Sequence, residues 1–400
     1  MNAAVALTPF AAATAAAHAR IAAIGLPTSA DEAWRYVDVK PLATPPATSA
    51  RAVSAADVAT HRLPGCALAV LVDGVFRMDL SDSDSGVESL SALPAADAVA
   101  LNQRWTSCAT TGDDITALWS LADLAGGLRC RGSTTKPVQI LAIATGGCSG
   151  ARVVIEAPRG ATMEIVLHHV ALGPARFSIG IEMDLADGAT VRVDEVQLDD
   201  TAQLYSLTWP RLARDTSLTW TSIGVGGHCV RHRSKGLLGS ANATLSLAGL
   251  SVLSGTRQTH QYLRVLHQVG DTRSQQVFKT IADGRSLASF DGLIAMAKGA
   301  DRSEAQQTNH NLLLSPGARV DTRPQLDILA DDVKAAHGAT VGQINADEMF
   351  YLRARGLPAA AARTLLIHGF AGDILARLSN PAVRALATAR ILAALTHTHD

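Results

Sequence analysis

Short runs of alternating apolar and polar residues fill the middle of the chain. Each run opens on a small or polar residue, and the openings are Gly160, Gly188, Thr216, Asn242, Gly317 and Gly338. A period of two is typical of strands with one buried face, and neighbouring runs start about 20 to 30 residues apart, as in solenoid proteins. The segments between them are too short for β-α-β crossover helices. The pattern predicts stacked strands, in either a parallel β-helix or a β-sandwich.

The stack of strands is predicted to end within residues 309–356. Leu326 and Ile328 alternate there with Gln325 and Asp327, so each pair faces one side of a strand. Beyond Gly342 the period becomes helical. A strand-rich region therefore gives way to helices at this point.

Helical segments follow the strands. Asn345 predicts a helix start with Glu348 as its capping-box partner, and Gly356 predicts a left-handed end. After Pro358, apolar residues recur every four positions and predict one buried stripe: Leu366, Phe370, Ile374 and Leu378. A second helix is predicted over 383–395, after the Asn380-Pro381 break. We expect this pair to cap the end of the stack, where strand edges would otherwise be unpaired.

The first third of the chain mixes both kinds of element. An alanine-rich helix is predicted over 3–24, a buried strand from Cys66 to an Asp-Gly turn, and helix over most of 101–124. The chain is thereby divided into an N-terminal helical segment with a linker (1–60), a mixed α/β region (61–135), a strand-rich core (136–342) and a C-terminal helical domain (343–400).

The amino-acid composition limits the classes of protein to which the chain can belong. Hydrophobic residues make up 48% and charged residues 18%, which is typical of a globular protein. The net charge of −1 and the 4% of aromatics give no reason to expect nucleic acid or an anionic membrane as a partner. The five cysteines form no C-x-x-C pair, which disfavours a disulfide framework and favours a reducing compartment. Without a signal-peptide pattern at the N-terminus, a cytoplasmic location is expected.

Candidate chemistry is sparse. The chain contains no phosphate-binding loop with Gly-Lys-Ser/Thr, no H-E-x-x-H, no G-x-S-x-G and no dinucleotide-binding fingerprint, so no catalytic residue is predicted. His228, Cys229 and His232 are close in sequence and could bind zinc or iron, but no fourth ligand is nearby. The alternative is that they, like His168-His169, His260 and His267, are polar residues on a strand face.

Several long motifs resemble the D-type scaffold subunits of the Suf iron–sulfur cluster assembly machinery, in the SufB/SufD family. They are ADDVKAAHGATVGQ (330–343), FYLRARG (350–356), QTNHNLLLS (307–315), TRPQLDILADDV (322–333) and GLPTSADEAWRYVDVKPL (25–42). The resemblance is loose over residues 50–140. One departure is clear: the family commonly has Cys-Ser-His-Gly where this chain has Ala335-Ala336-His337-Gly338.

The resemblance implies a fold and a function. The expected fold is a mainly β protein, a right-handed parallel β-helix flanked by helical segments at both termini. The expected function is a non-catalytic scaffold that pairs with a B-type paralogue and binds the Suf ATPase through its C-terminal helices, with a homodimer possible for the isolated chain. Two alternatives stay open: a B-type, cluster-holding subunit, or a β-helical carbohydrate-active enzyme. The aromatic content of 4% disfavours the enzyme.

The resemblance also implies site residues. His337 is expected at the junction with the B-type subunit, as an iron ligand of a transient nascent cluster shared with that partner; no tightly bound cofactor is expected. Any thiolate there must come from the partner, since position 335 is alanine. Strand parity offers an alternative, because His337 shares a face with Val333 and Ala335 and could be a buried, hydrogen-bonded core residue. The expected ATPase-binding residues are Phe350, Tyr351, Arg353, Arg355 and Gly356.

Overall fold

Two stacked sheets of mostly parallel strands form the body of the protein. The computed structural model describes residues 10–44, 46–47, 51–109, 115–199 and 202–396. Successive strands alternate between the sheets, so that each pair of strands makes one turn of a coil, with about eight turns in all. This is a parallel β-helix, as predicted. Paired residues on successive turns are about 25 to 32 positions apart, close to the predicted interval.

Sheet 1 contains ten strands and ends on β19. In chain order they are β1 (Ala67–Val72), β2 (Val75–Phe76), β5 (Val138–Ala144), β7 (Thr162–Ala171), β9 (Thr190–Gln197), β11 (Ser217–Val225), β13 (Thr244–Leu253), β15 (Arg273–Ala282), β17 (Ser303–Leu313) and β19 (Val333–Gln343).

Sheet 2 contains nine strands and ends on β18. They are β3 (Val87–Ser89), β4 (Leu124–Arg131), β6 (Gly147–Ala157), β8 (Ala175–Leu185), β10 (Ala202–Leu212), β12 (Cys229–Leu238), β14 (Gln258–His267), β16 (Leu287–Met296) and β18 (Arg319–Ile328).

The α-helices lie at the two ends of the sequence. They are α1 (Ala11–Ile24), α2 (Lys40–Ala43), α3 (Ala55–Ala59), α4 (Ala95–Ala109), α5 (Ile115–Ala122), α6 (Ala346–Ala354), α7 (Ala359–Leu375) and α8 (Pro381–Thr396). Within the described residues, none is long and apolar enough to cross a membrane.

Most of the predicted openings correspond to one corner of the coil, whereas Gly317 lies at the other corner, before β18 of sheet 2. Gly160, Gly188, Asp215, Asn242 and Asp271 occupy this corner on successive turns, all with a left-handed backbone at φ between 58° and 72°. The backbone N–H of each donates to a carbonyl of the next turn, as from Gly160 to Asp187 and from Asn242 to Asp271. Gly, Asn and Asp tolerate this conformation best, which explains the recurrent openings. The predicted opening at Gly338 is wrong, because this residue lies in the middle of β19.

Apolar side chains from the inner faces of both sheets fill the lumen of the coil. Ile165 and Val193 from sheet 1 meet Ile179 and Leu204 from sheet 2 in one continuous cluster. Burying each such side chain stabilises the fold by about 1.5–3 kcal/mol. The sheets begin before residue 136, because β1 pairs in parallel with β5 and β4 with β6. The Asp-Gly turn after β1 joins it to β2, as predicted.

The N-terminal helices cover the outer face of sheet 2. α1 packs on α5, which in turn contacts β10 through a cluster containing Leu118 and Leu207. Farther along, Trp34 stacks on the guanidinium of Arg231 with 4.1 Å between the ring centroid and Cζ. The predicted helix over 3–24 is confirmed from Ala11 onward, and positions 3–9 lie outside the described residues.

The C-terminal helices α7 and α8 lie along the outer face of sheet 1. Ile367, Ile374 and Leu378 pack with α8 residues on strand residues such as Val252 and Ile281. The prediction that this pair caps the end of the stack is wrong. The predicted stripe is confirmed at Ile374 and Leu378, whereas Leu366 and Phe370 are half-buried and their neighbours Ile367 and Ala371 are buried. An apolar stripe on a helix shows that the helix packs on another surface, but it does not show which one. Here that surface is the outer face of sheet 1.

Candidate functional site

The last turn of the coil, formed by β18 and β19, is left uncovered, and we call it the open end. β19 pairs with β17 and β18 with β16, and neither has a second neighbour among the described strands. Both strands have mostly half-buried or exposed residues, with Ile328 and Val341 exposed. Unpaired N–H and C=O groups beside exposed apolar side chains make this edge suited to adding a strand from another chain.

His337 lies in the middle of β19 and is exposed to solvent. It shares a strand face with Ala335, which packs on the lumen residues Ile294 and Met296. The imidazole therefore belongs to the inner face of the coil, and no following turn covers it among the residues that the structure describes. The alternative of a buried core histidine is wrong for this chain, because burial would need another coil above β19.

Helix α6 starts three residues after the end of β19. It contains Phe350, Tyr351 and Arg353 of the predicted ATPase-binding residues, and Arg355 and Gly356 follow it directly. The side chain of Asn345 accepts hydrogen bonds from the N–H groups of Asp347 and Glu348, at 2.8 and 3.4 Å, and so caps the helix. Gly356 ends it with φ of 91°. Both boundaries were predicted.

The exposed face of α6 combines aromatic and basic side chains. Phe350 is 74% and Tyr351 58% exposed. Arg355 donates to the Tyr351 hydroxyl at 3.2 Å, and Arg353 is exposed on the same helix. Large exposed aromatics beside arginines are typical of protein interfaces.

A groove of about 630 Å³ runs beside the open end, along the first residues of the last strands of sheet 1. Arg273, Glu304 and Lys334 are on its rim, and Lys334 pairs with Glu304 at 3.0 Å. Its described lining contains one carboxylate and no aromatic ring. A glycosidase cleft needs two carboxylates and usually aromatic platforms, so this groove does not favour the carbohydrate-active alternative.

The cluster His228, Cys229 and His232 does not form a metal site. Cys229 is on the outer face of sheet 2 beside Tyr205, whereas His232 is on the inner face and bonds Ser206 Oγ at 2.7 Å. Cys229 and His232 are three positions apart on β12, so their side chains lie on opposite faces of the strand. Among the residues that the structure describes, no group of three or more His, Cys, Asp or Glu side chains is arranged to hold a metal ion.

Comparison with known proteins identifies the family. The family model for the SUF system FeS cluster assembly, SufBD core domain, matches residues 141–370, more than half of the chain. The chain belongs to the SufBD family.

Relatives of this SufBD family chain agree with that assignment. The iron–sulfur cluster assembly protein SufD of Escherichia coli K12 is 33% identical over 242 residues, which are 59% of this chain and 57% of that protein. A SufBD family protein of Synechocystis is 40% identical over 38% of this chain and 34% of its own length. One from Mycobacterium bovis is 29% identical over 92% of this chain and 89% of its own length. The matched part is thus less than two thirds of the first two relatives.

The SufBD core match runs from β5 to α7 and contains the candidate residues. His337, α6 and the open end all lie within residues 141–370. The resemblance to D-type subunits that the motifs indicated is confirmed at the level of the family, with a SufD among the relatives.

Sequence reasoning missed a polar cluster inside the lumen of this SufBD family protein. Glu195 accepts hydrogen bonds from His169 Nε2 and Trp220 Nε1, both at 3.0 Å, with His232 Nδ1 at 4.0 Å. Burial opposes the charged carboxylate, but His232, His169 and Trp220 outweigh it and lower the pKa of Glu195 to about 2. Of these residues, only His169 and His232 were singled out in the sequence, and their distance from Glu195 along the chain hid the cluster.

Three further histidines, His168, His260 and His267, have buried positions in the fold. They were predicted as polar residues on a strand face. His260 bonds Ser289 and Gln258, and His267 bonds Thr272 and Ser274, at 2.7 to 2.8 Å. Desolvation lowers the pKa of His168 to about 3 and that of His267 to about 4, which keeps both neutral.

Proposed function

We propose that this chain is a non-catalytic scaffold subunit of an iron–sulfur cluster assembly complex. Its open end pairs with the matching end of a B-type paralogue, and a nascent cluster is built at the junction between them. The cluster is cargo of the complex and is held only transiently. The observation that carries the proposal is the open end itself, with unpaired strands, exposed apolar residues and an exposed His337 on the inner face.

His337 has the chemistry that such a junction needs. A neutral imidazole is an iron ligand, and its exposure leaves it accessible from the side on which a partner strand would add. The chain contributes no thiolate beside it, since Ala335 occupies the position where the family commonly has cysteine. The thiolate ligands therefore come from the partner.

The second contact in this proposal is with the Suf ATPase, through α6 and the helices after it. The aromatic and basic face of α6 is next to the open end, because only Ile344 and Asn345 separate the helix from β19. A movement of the ATPase would thus be transmitted directly to the strand that carries His337. The resemblance of this region to D-type subunits implies the same contact.

The test is reconstitution of the complex from this chain, the B-type paralogue and the ATPase, with iron and labile sulfide measured after cluster assembly. His337→Ala is expected to keep the complex intact and to lower the cluster content. A His310→Ala variant, one strand away on β17, is the matched control. Unchanged cluster content in His337→Ala would contradict the role of this residue, and failure to co-purify would contradict the scaffold function.

A further inference from the structure

Gln307 is the residue that pairs with His337 in the register of sheet 1. It lies on β17, one turn below the open end, and is 0% exposed. Its amide Nε2 donates a hydrogen bond of 2.7 Å to Oε1 of Gln276, one turn farther down. Gln276, Gln307 and His337 thus form one row on the inner face of the coil.

The side-chain amide of Gln307 is held through its Nε2, but its oxygen makes no hydrogen bond to any other described residue. Its Oε1 is buried and has no hydrogen-bond partner among the described residues. On the opposite sheet Gly292 leaves the necessary room, because a Cβ there would lie 2.5 Å from Gln307 Nε2 and 2.8 Å from Oε1. Buried amide oxygens are nearly always paired, so an unpaired one beside an exposed donor requires an explanation.

On the strand above Gln307, the donor in the row is the imidazole of His337. On the strand below, Nε2 of Gln276 also has no hydrogen-bond partner among the described residues. Neighbouring strands are about 4.8 Å apart, and residues in register on one face have side chains in contact range. Within the described part of the chain, no later turn of the coil lies over the exposed ring. A neutral imidazole has one N–H donor and one lone pair, and the partner of the N–H determines which nitrogen keeps the lone pair.

We infer that Gln307 is a positioning residue for His337. Its Oε1 accepts the ring N–H, which holds one tautomer and leaves the other nitrogen unprotonated and facing the junction. Histidines that ligate metals commonly donate their second nitrogen to a carbonyl or carboxylate in this way. The inference rests on the proposed function, in which His337 is an iron ligand, but the hydrogen bond itself is a property of the isolated chain.

The hydrogen bond can be tested without any cluster. In ¹⁵N-labelled isolated protein, the ring N–H of His337 is expected to exchange slowly with water, since it bonds a buried acceptor. Gln307→Leu should abolish this protection, whereas Gln307→Glu, which keeps an acceptor oxygen, should retain it. Gln306→Leu is the matched control, because Gln306 is the neighbouring residue but is exposed on the outer face. Equal exchange in wild type and Gln307→Leu would overturn the inference.

The effect on cluster assembly is tested in the full complex. Gln307→Leu is expected to lower the initial rate of cluster formation about tenfold or more, the usual cost of losing such a partner. It should have no further effect in a His337→Ala background. A loss in that background equal to the loss in wild type would assign Gln307 a structural role only. If His337→Ala alone has no effect, the proposed function fails, and the exchange experiment still decides whether the hydrogen bond exists.

Discussion

The carboxylate of Asp194 accepts a hydrogen bond of 2.7 Å from the backbone N–H of Asn380. It also accepts from the backbone N–H and the hydroxyl of Ser379, at 3.1 and 3.0 Å. Asn380 in turn caps α8, since its Oδ1 accepts from the N–H of Ala382 at 2.9 Å. One acid on the outer face of sheet 1 thereby fixes the turn between the two C-terminal helices.

Asp194→Ala should loosen these helices. The substitution leaves the buried N–H of Asn380 without its acceptor, so the free energy of unfolding is expected to fall by about 1–3 kcal/mol. Amide hydrogen exchange should become faster in α8 before it does in the strands. Asp187→Ala, at an exposed turn, is the control. Unchanged exchange in α8 would show that apolar packing alone holds the helices.

Acid should destabilise the protein through its buried histidines. The pKa values of His168 and His267 are lowered by burial to about 3 and about 4, from 6.5. Below pH 6.5 these histidines are protonated in the unfolded chain but stay neutral in the folded protein, so the unfolded chain binds more protons. The free energy of unfolding therefore falls as the pH drops from 6.5 toward the folded pKa values, and it is unaffected by these groups above pH 6.5. The slope is about 1.4 kcal/mol per pH unit for each group.

This pH dependence can be measured by urea unfolding between pH 7 and pH 5. His168→Leu removes one titrating group and is expected to reduce the loss of stability across that range. Raised salt should leave the effect in place, because its cause is burial and not a pair of surface charges. An identical slope in the variant would contradict the assignment to His168.

Gly180→Ala should be clearly destabilising. A Cβ at this position would lie 2.4 Å from Cζ2 of Trp105, whose side chain is fully buried. Such overpacking costs about 1–3 kcal/mol. Gly369→Ala, with open space around the added Cβ inside α7, should instead stabilise by about 0.5–1 kcal/mol. Thermal unfolding of both variants checks the contrast, and a shift of the same sign in both would refute it.

Tyr351→Ala combined with Arg355→Ala should weaken binding of the Suf ATPase at least about tenfold, since exposed Tyr and Arg often dominate interface energies. The measurement is a pull-down or titration with the ATPase. Met78→Ala, another highly exposed side chain far along the sequence, is the control. A folded chain truncated after Gly342 should not bind at all, and retained binding would exclude α6 to α8 as the docking surface.

Val341→Lys should block pairing through the open end. The substitution places a charge on the inner face of the last strand, which disfavours addition of another strand and should raise the Kd for the B-type paralogue. Leu266→Lys, at an exposed apolar residue of β14, is the matched control. Analytical ultracentrifugation of each mixture measures the effect, and equal association of both variants would contradict pairing at this edge.

The sequence by itself determined the local features and the family. Alternation and recurrent Gly or Asn residues predicted the turns of the coil, and Asn345 and Gly356 predicted both ends of α6. These features depend on residues within a few positions of one another. The long motifs around His337 indicated the SufB/SufD family, which the match over residues 141–370 confirmed.

Only the tertiary structure decided which surfaces are covered. Strand parity assigned His337 to the face of Ala335, but its side chain is exposed because none of the described strands forms a turn above β19. On the flank, the turn between α7 and α8 is bonded to sheet 1 through Asp194 and Asn380, which are 186 positions apart. The row that joins Gln276, Gln307 and His337 likewise arises from strands about 30 residues apart. Such contacts leave no local pattern, because burial depends on which other segment packs on a face and not on the face alone.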